Sequence, residues 1–483
     1  MPGRTARPTL AAWSTSRIAG PGPCTLIDAR QPVARAISET VRNGGGEQVV
    51  IRQMGSALSW PERSVESAYR RGTSNSIGFL RWVFASAVIF YHGYIIAAFT
   101  VNPISQRVHI PLGDTAVDCF FLLSGFLIAR SVRSSSGIFD FMFKRVLRIF
   151  PGFWLCLVVT AGLLAPLSWL HNHGSLVGFP SARPWTLLTK NWTLTLEKQW
   201  IPGVFIDTAG FAHANINSAI GSAWSLIYEF KAYIVVGLLG AVGILWRQRI
   251  VTAVLTFLLG GMQVAAVVAV GAGTKPALIN RGFGALLAPL GDPSMMRLIF
   301  TFLVGTCFAL YADRIILRDR TGIACIIAIL LIGEAGTGFI VLAMPLAAYV
   351  VLWLGARLSM KWWDKAGDSS YGVYLYGWPI ETLFAEWGIQ RHLGMIGYCA
   401  VSIIVSTAFG LASWHLLEKH ALRLKGFDPY RSIKSRLVES RMVRQDRRRQ
   451  AGPDDASSST GFEAPRSAAE AEEVGATPKS VSA

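Results

Sequence analysis

Arg81 and His92 lie within one apolar stretch, Ile77 to Val101. Side chains that carry or acquire charge are costly in a hydrocarbon core and mark functional sites there. The two are eleven residues apart, which at about 100° per residue leaves them within roughly 20° of each other around a helix. At about 1.5 Å rise per residue they are separated by about 16 Å along its axis. One helix face then carries a guanidinium near a membrane surface and an imidazole deeper within. A face of this kind lines a polar cavity rather than lipid. A neutral imidazole can take a proton from an alcohol, since its pKa lies near neutrality; the alternative is a histidine hydrogen-bonded between helices. A guanidinium grips phosphate or carboxylate with two prongs; the alternative is an arginine snorkelling to the headgroups.

Other polar residues stand in similarly apolar surroundings. Asp118 lies in Val117–Ile128 of the second apolar stretch. A carboxylate there wants a partner, and His92 and Arg81 are the obvious ones; the alternative is solvation at the interface. A carboxylate that orients a histidine is a recurrent device. Ser124 and Gly125 read as small residues for close helix packing. Arg145 and Arg148, three apart, share a helix face. They are either ordinary cytoplasmic charge or a site for a phosphorylated cytosolic donor. Trp224 to Glu229 opens the fourth stretch. Glu229 is either a cavity residue or a charge at the start of a helix, with Lys231 as its neutralising neighbour. The aromatics alone would form a membrane-interface belt.

These residues need helices that cross a bilayer. The chain has 483 residues, 52% hydrophobic and 16% charged, against about 25% charged in soluble domains. Runs such as Ile250 to Gly273 can span a hydrocarbon core of about 30 Å. The predicted fold is an all-α integral membrane bundle of about ten transmembrane helices, with both termini cytoplasmic. The spans are expected near 77–99, 115–132, 149–170, 224–246, 250–270, 298–311, 322–334, 339–354, 371–387 and 395–417. Residues 171–222 form the longest loop, expected on the periplasmic side. Residues 1–74 lack a signal-peptide apolar core and read as a disordered cytoplasmic extension. Residues 75–425 form the membrane domain, and 426–483 a disordered cytoplasmic tail.

The formal charge of +17 collects in the tails and in every second loop, as the positive-inside rule expects. That pattern argues against a nucleic-acid partner, and no nucleic-acid-binding motif occurs. The six cysteines are scattered without a Cys-x-x-Cys pair, so neither a metal site nor a disulfide framework is indicated. They read as small buried hydrophobes.

Taken together, the motifs resemble the acyltransferase-3 family of integral membrane acyltransferases over roughly residues 75–425. The family's Arg, ten residues, then His signature matches Arg81 and His92. Its aspartate, aromatic, Ser-Gly-Phe-Leu element matches Asp118 to Leu127. Arg145 to Pro151 match its Arg-x-x-Arg-Ile-x-Pro element. Trp224 to Glu229, with Tyr233, match Trp-Ser-Leu-x-x-Glu and its following Tyr. Ser370 to Leu375 match Ser-Tyr-x-x-Tyr-Leu, and Ser413 to Lys419 match the closing Ser-x-x-x-x-Glu-Lys. One departure is Gly377, where many members carry His.

The resemblance implies transfer of an acyl group, commonly acetyl from acetyl-CoA, to a hydroxyl of an extracytoplasmic or lipid-linked carbohydrate. Lipopolysaccharide and exopolysaccharide are both open as acceptors. It implies a multi-pass protein of the bacterial inner membrane, with acyl-CoA as donor and no metal. In this reading His92 is the base, and Arg81 and Asp118 set its geometry and charge. Arg145 and Arg148 face the donor; Trp224, Ser225, Glu229 and Tyr233 line the substrate side. The competing reading is a secondary transporter or exporter with a buried polar site. Transporters often repeat their halves and break spans in corresponding positions, and neither feature is found in the sequence.

Overall fold

Each of the ten apolar stretches coincides with a helix in the computed structural model, which describes residues 62–70, 73, 75–99, 112–206, 218–271, 293–334, 340–360 and 362–426. Helix α1 spans Ile77–Ile96, α2 Leu112–Arg133 and α3 Ile138–Val159. α4 spans Leu226–Ala241, α5 Arg249–Gly271 and α6 Pro293–Leu310. α7 spans Asp319–Glu334, α8 Ile340–Arg357, α9 Ser370–Glu386 and α10 Ile389–Ser413. Among the described residues, five helical stretches are long and apolar enough to cross a membrane: Ile77–Ile96, Leu112–Arg133, Ile138–His173, Gly221–Ala241 and Ile389–Arg423. Strand among the described residues is confined to Arg63–Ser64 and Ile316–Leu317, paired antiparallel. The chain is thus an all-α, multi-pass membrane protein, the architecture that satisfies backbone polar groups without water.

Three local features differ from the sequence reading. The basic stretch before Ile149, expected as a loop, forms the first turns of α3. Asp140 fastens that end by accepting from the Ser136 backbone N–H at 2.9 Å and from Lys144 Nζ at 2.6 Å. The helix then continues through a π turn at Thr160–Leu164 to His173, 36 residues in all. The fourth stretch stops early. α4 ends at Ala241, and Gly243 (φ 76°) turns the chain into a separate helical turn at Ile244–Arg247. The third feature is residues 62–70, assigned from the sequence to the extension, which pack against the bundle. Val65 and Tyr69 are buried, the Tyr69 hydroxyl donates to the Leu352 carbonyl at 2.5 Å, and Glu66 pairs with Arg130 at 2.7 Å. Residues 1–61 and 427–483 lie outside the described residues, and with them Cys24 and nearly all of both expected tails. Of the other cysteines, Cys119, Cys156, Cys325 and Cys399 are buried and free, and Cys307 is partly buried.

Two helix pairs set the frame of the site. α2 and α6 run parallel and touch backbone to backbone. A Cβ on Gly125 would collide with the Phe302 carbonyl, and one on Gly305 with the Leu122 carbonyl. Small residues permit this approach, which replaces hydrophobic driving force with close packing. α1 and α9 also run parallel. Gly377 backs onto Ile89, Trp378 meets His92 and Glu381 faces Gly93. The absence of a histidine at position 377 is thereby filled by an α1 isoleucine.

Candidate active site

Arg81 is not left to snorkel. Its Nη1 donates to Asp368 Oδ2 at 2.8 Å, and Arg148 Nη2 donates to the same oxygen. Ser370 Oγ donates to the other oxygen at 2.6 Å. Arg148 Nη1 also lies 3.6 Å from Glu418 Oε2, while Glu418 Oε1 accepts from Ser413 at 2.8 Å. Tyr371 and Trp414 hold the Arg148 guanidinium between their rings, at 5.7 and 5.8 Å. Burial alone would push the Asp368 carboxyl up. The Arg148 and Arg81 guanidiniums and the Ser370 hydroxyl hold it well below the usual carboxylate range. A cavity of about 360 Å3 opens beside this cluster, lined by Arg81, Arg130, Asp368, Trp363 and Trp414.

A second polar layer adjoins the first. Glu229 Oε1 accepts from Tyr233 at 2.5 Å and from Ser124 at 2.7 Å. Ser124 is therefore more than a packing residue, and its hydroxyl ties α2 to α4. Lys231, expected to neutralise Glu229, instead lies over the Tyr228 ring at 5.7 Å. Arg145 donates to Ser131 Oγ at 3.1 Å, and its Nε is buried with no hydrogen-bond partner among the described residues. Tyr233 lies within electrostatic reach of Arg145 and Arg81. Arg81, Arg145, Arg148, Glu229 and Tyr233 are thus brought together. Trp224 packs edge-on against Tyr228 at 5.8 Å. Ser225 Oγ meets the Tyr374 hydroxyl at 2.8 Å. That hydroxyl spends its single proton on the Ser222 carbonyl, so Ser225 is the donor in the pair.

His92 stands apart from this cluster, toward the C-terminal ends of α1 and α9. Its ring meets Trp378 edge-on at 4.7 Å, and its Nδ1 is buried with no hydrogen-bond partner among the described residues. Trp378 in turn donates its Nε1 to the Ser218 carbonyl at 2.5 Å, which joins His92 to the long loop after α3. The expected partners of Asp118 are corrected by the structure. Neither His92 nor Arg81 pairs with it. Arg297 does, with Nε at 3.5 Å, and Arg297 also grips Asp114 at 2.9 Å. The reason lies in packing: α2 and α6 run side by side in parallel, so the first turns of both meet.

Sequence reasoning missed Asp368 and Arg297 altogether. Glu418 entered it only as part of a motif. Asp368 stands just before the late Ser-Tyr element and is charged at the mouth of an apolar helix, which is a usable signal. Arg297 begins a span and reads as an ordinary flanking charge. No group of three or more potential metal ligands occurs among the described residues. The cytoplasm-facing chemistry has one further mark. Burial, with the charges of Arg145, Arg148 and Lys144, pushes the Lys425 ammonium down to about 8. An excess of positive charge is held there by the fold.

The model of an acyltransferase domain matches residues 74–411. The chain belongs to this acyltransferase family, and it is an acyltransferase of the kind that moves groups other than aminoacyl. Among its relatives is the O-acetyl transferase of Shigella phage Sf6, 24% identical over 313 residues, which cover 64% of this chain and 85% of the relative. The exopolysaccharide production protein ExoZ of Rhizobium meliloti (strain 1021) is 27% identical over 326 residues, 65% of this chain and 91% of the relative. Nodulation protein 10 of Rhizobium leguminosarum bv. viciae is 26% identical over 395 residues, 73% and 95% of the two chains. No solved structure matches.

Proposed function

We propose that the protein is a bacterial inner-membrane O-acyltransferase. It moves an acyl group, most simply acetyl, from cytosolic acyl-CoA to a hydroxyl of a cell-surface or lipid-linked polysaccharide. The printed names of the phage transferase and of ExoZ support acetyl and polysaccharide. The observation that carries the mechanism is the polarity of α1: an anion-gripping cluster at Arg81 and a histidine with a free ring nitrogen at His92.

In this mechanism Arg145, with Arg81, Arg148 and Lys425 around it, receives the phosphates of the donor, because guanidinium and ammonium groups bind phosphate directly. The pantetheine arm carries the thioester along α1 toward His92. His92 takes the proton of the acceptor hydroxyl as its oxygen attacks the thioester carbonyl. The C–O bond forms, the C–S bond breaks, and the imidazolium returns the proton to the CoA thiolate. Trp224, Ser225, Glu229 and Tyr233 shape the substrate path between the two ends. All ten helices cross the bilayer, with the Arg81 end cytoplasmic and residues 1–74 and 426–483 on that side. The parallel α1–α9 and α2–α6 pairs suit a chain whose odd spans run outward and even spans inward. The basic residues Arg130, Arg133, Lys144, Arg145 and Arg148 gather at one end, which suits the positive-inside rule.

The direct test supplies labelled acetyl-CoA and base-treated, de-O-acylated surface polysaccharide to membranes with and without the protein. Label in the polysaccharide only with the protein supports the reading; label in neither sinks it. The donor assignment predicts that Arg145→Ala combined with Arg148→Ala weakens acyl-CoA binding at least about tenfold, as loss of charge-assisted phosphate contacts does. Calorimetric titration of the purified protein checks this, and an unchanged affinity counts against it. A pH effect follows from Lys425. Bound phosphate favours the charged ammonium, so acyl-CoA affinity falls as pH rises through about 8. Lys425→Gln flattens that dependence in the same titration.

A further inference from the structure

We infer that Glu381 is the carboxylate that positions His92 and balances its charge, the part the sequence gave to Asp118. The inference rests on the proposed role of His92 as base.

A base that takes a proton becomes a cation, and a buried cation needs an opposite charge nearby. The other carboxylates around the site are engaged. Asp118 faces Arg297, Asp368 holds Arg81 and Arg148, Glu229 accepts from Ser124 and Tyr233, and Glu418 lies against Arg148 and Ser413. Glu381 is fully buried, and neither of its oxygens has a hydrogen-bond partner among the described residues. Even Tyr398 passes it by, donating its hydroxyl to the Glu381 backbone carbonyl at 2.6 Å. Buried polar groups in native proteins are nearly always satisfied, so an orphan carboxyl calls for a functional account.

Its place supplies that account. Glu381 lies one turn beyond Trp378, whose ring meets His92 at 4.7 Å. Its Oε1 is 3.4 Å from where a Cβ on Gly93 would stand, and Gly93 directly follows His92. Glycine at 93 is what lets the carboxyl reach α1 at this level. Two unpartnered polar groups, His92 Nδ1 and the Glu381 carboxyl, thus occupy the same segment of one helix pair. The carboxylate stabilises the imidazolium through a hydroxyl of the acceptor or a water bound between them. The titratable groups packed around the pair are Tyr94 on α1 and Tyr398 and Cys399 on α10.

The test uses purified full-length protein with labelled acetyl-CoA and the de-O-acylated polysaccharide. Glu381→Gln lowers kcat at least about 10²-fold and moves the activity midpoint on the pH axis downward, because the imidazolium loses its counter-charge. Acyl-CoA affinity stays at the wild-type value. Glu381→Met fills the same space without a polar group. It melts no lower than wild type yet loses transfer, a combination that a structural role does not produce. Wild-type kcat and pH midpoint in Glu381→Gln, with His92→Ala inactive, overturn the inference and leave the role of His92 intact. Full activity in His92→Ala overturns both.

Discussion

Alanine in place of His92 lowers acyl transfer about 10²- to 10⁴-fold, the span that positioned acid–base groups contribute. A loss of 10³-fold corresponds to about 4 kcal/mol of transition-state stabilisation. The loss falls on kcat. Acyl-CoA affinity is untouched, because the phosphates are held at the Arg81 end, about 16 Å of helix away. His92 Nδ1 has no hydrogen-bond partner among the described residues, so its removal breaks no bond that holds the fold. The ring's edge contact with Trp378 is all that is lost, and the melting temperature changes little. Kinetics with labelled acetyl-CoA, paired with a thermal melt, separate the two effects. Turnover at the wild-type level in His92→Ala ends the case for a histidine base. A matching loss of thermal stability would make the histidine structural instead.

Much of this site was legible because helical periodicity is strict. The relation between Arg81 and His92 depends only on the turn angle within α1, and α1 runs unbroken from Ile77 to Ile96. Likewise Glu229 and Tyr233, four apart, meet on one helix face at 2.5 Å. The errors came from relations between helices. Asp118 was given to His92 because both lay in neighbouring spans. Which face of α2 meets which helix is decided by Gly125 and Gly305, and these bring α6 and Arg297 alongside. The residue distance of 287 between Arg81 and Asp368 carries no periodic signal at all. The same holds for Glu381, whose significance lies in having no partner. The sequence can mark a buried carboxylate as costly, but only packing reveals whether something answers it. The helical start of α3 was missed for a different reason: charged residues suggested a loop, while the amphipathic spacing of Phe141, Arg145 and Arg148 already fitted a helix.

Asp368→Ala carries the largest expected cost in stability. One carboxylate oxygen receives both Arg81 and Arg148, and its partner oxygen receives Ser370. Removing a buried carboxylate leaves its partners as uncompensated charge, which costs about 3–5 kcal/mol. The environment places the effect inside that range rather than at the surface value: the side chains of Arg81, Arg148 and Asp368 are 20%, 14% and 25% exposed. Glu418 cannot take over, since it stands 3.6 Å from Arg148 and is already fixed by Ser413. The substitution therefore lowers the melting temperature strongly and reduces the yield of folded protein. Adding Arg148→Met to Asp368→Ala recovers part of the loss, because it removes the stranded charge, and the double-mutant cycle gives the coupling directly. Such recovery distinguishes a charge effect from a cavity left by the missing side chain. An Asp368→Ala protein that melts with the wild type, or a double mutant that is worse than the sum of its parts, contradicts the assignment of Asp368 as the anchor of both arginines. The same cycle bears on donor binding. If the two guanidiniums are held in place by Asp368, acyl-CoA affinity falls in Asp368→Ala even though net positive charge at the cluster has risen.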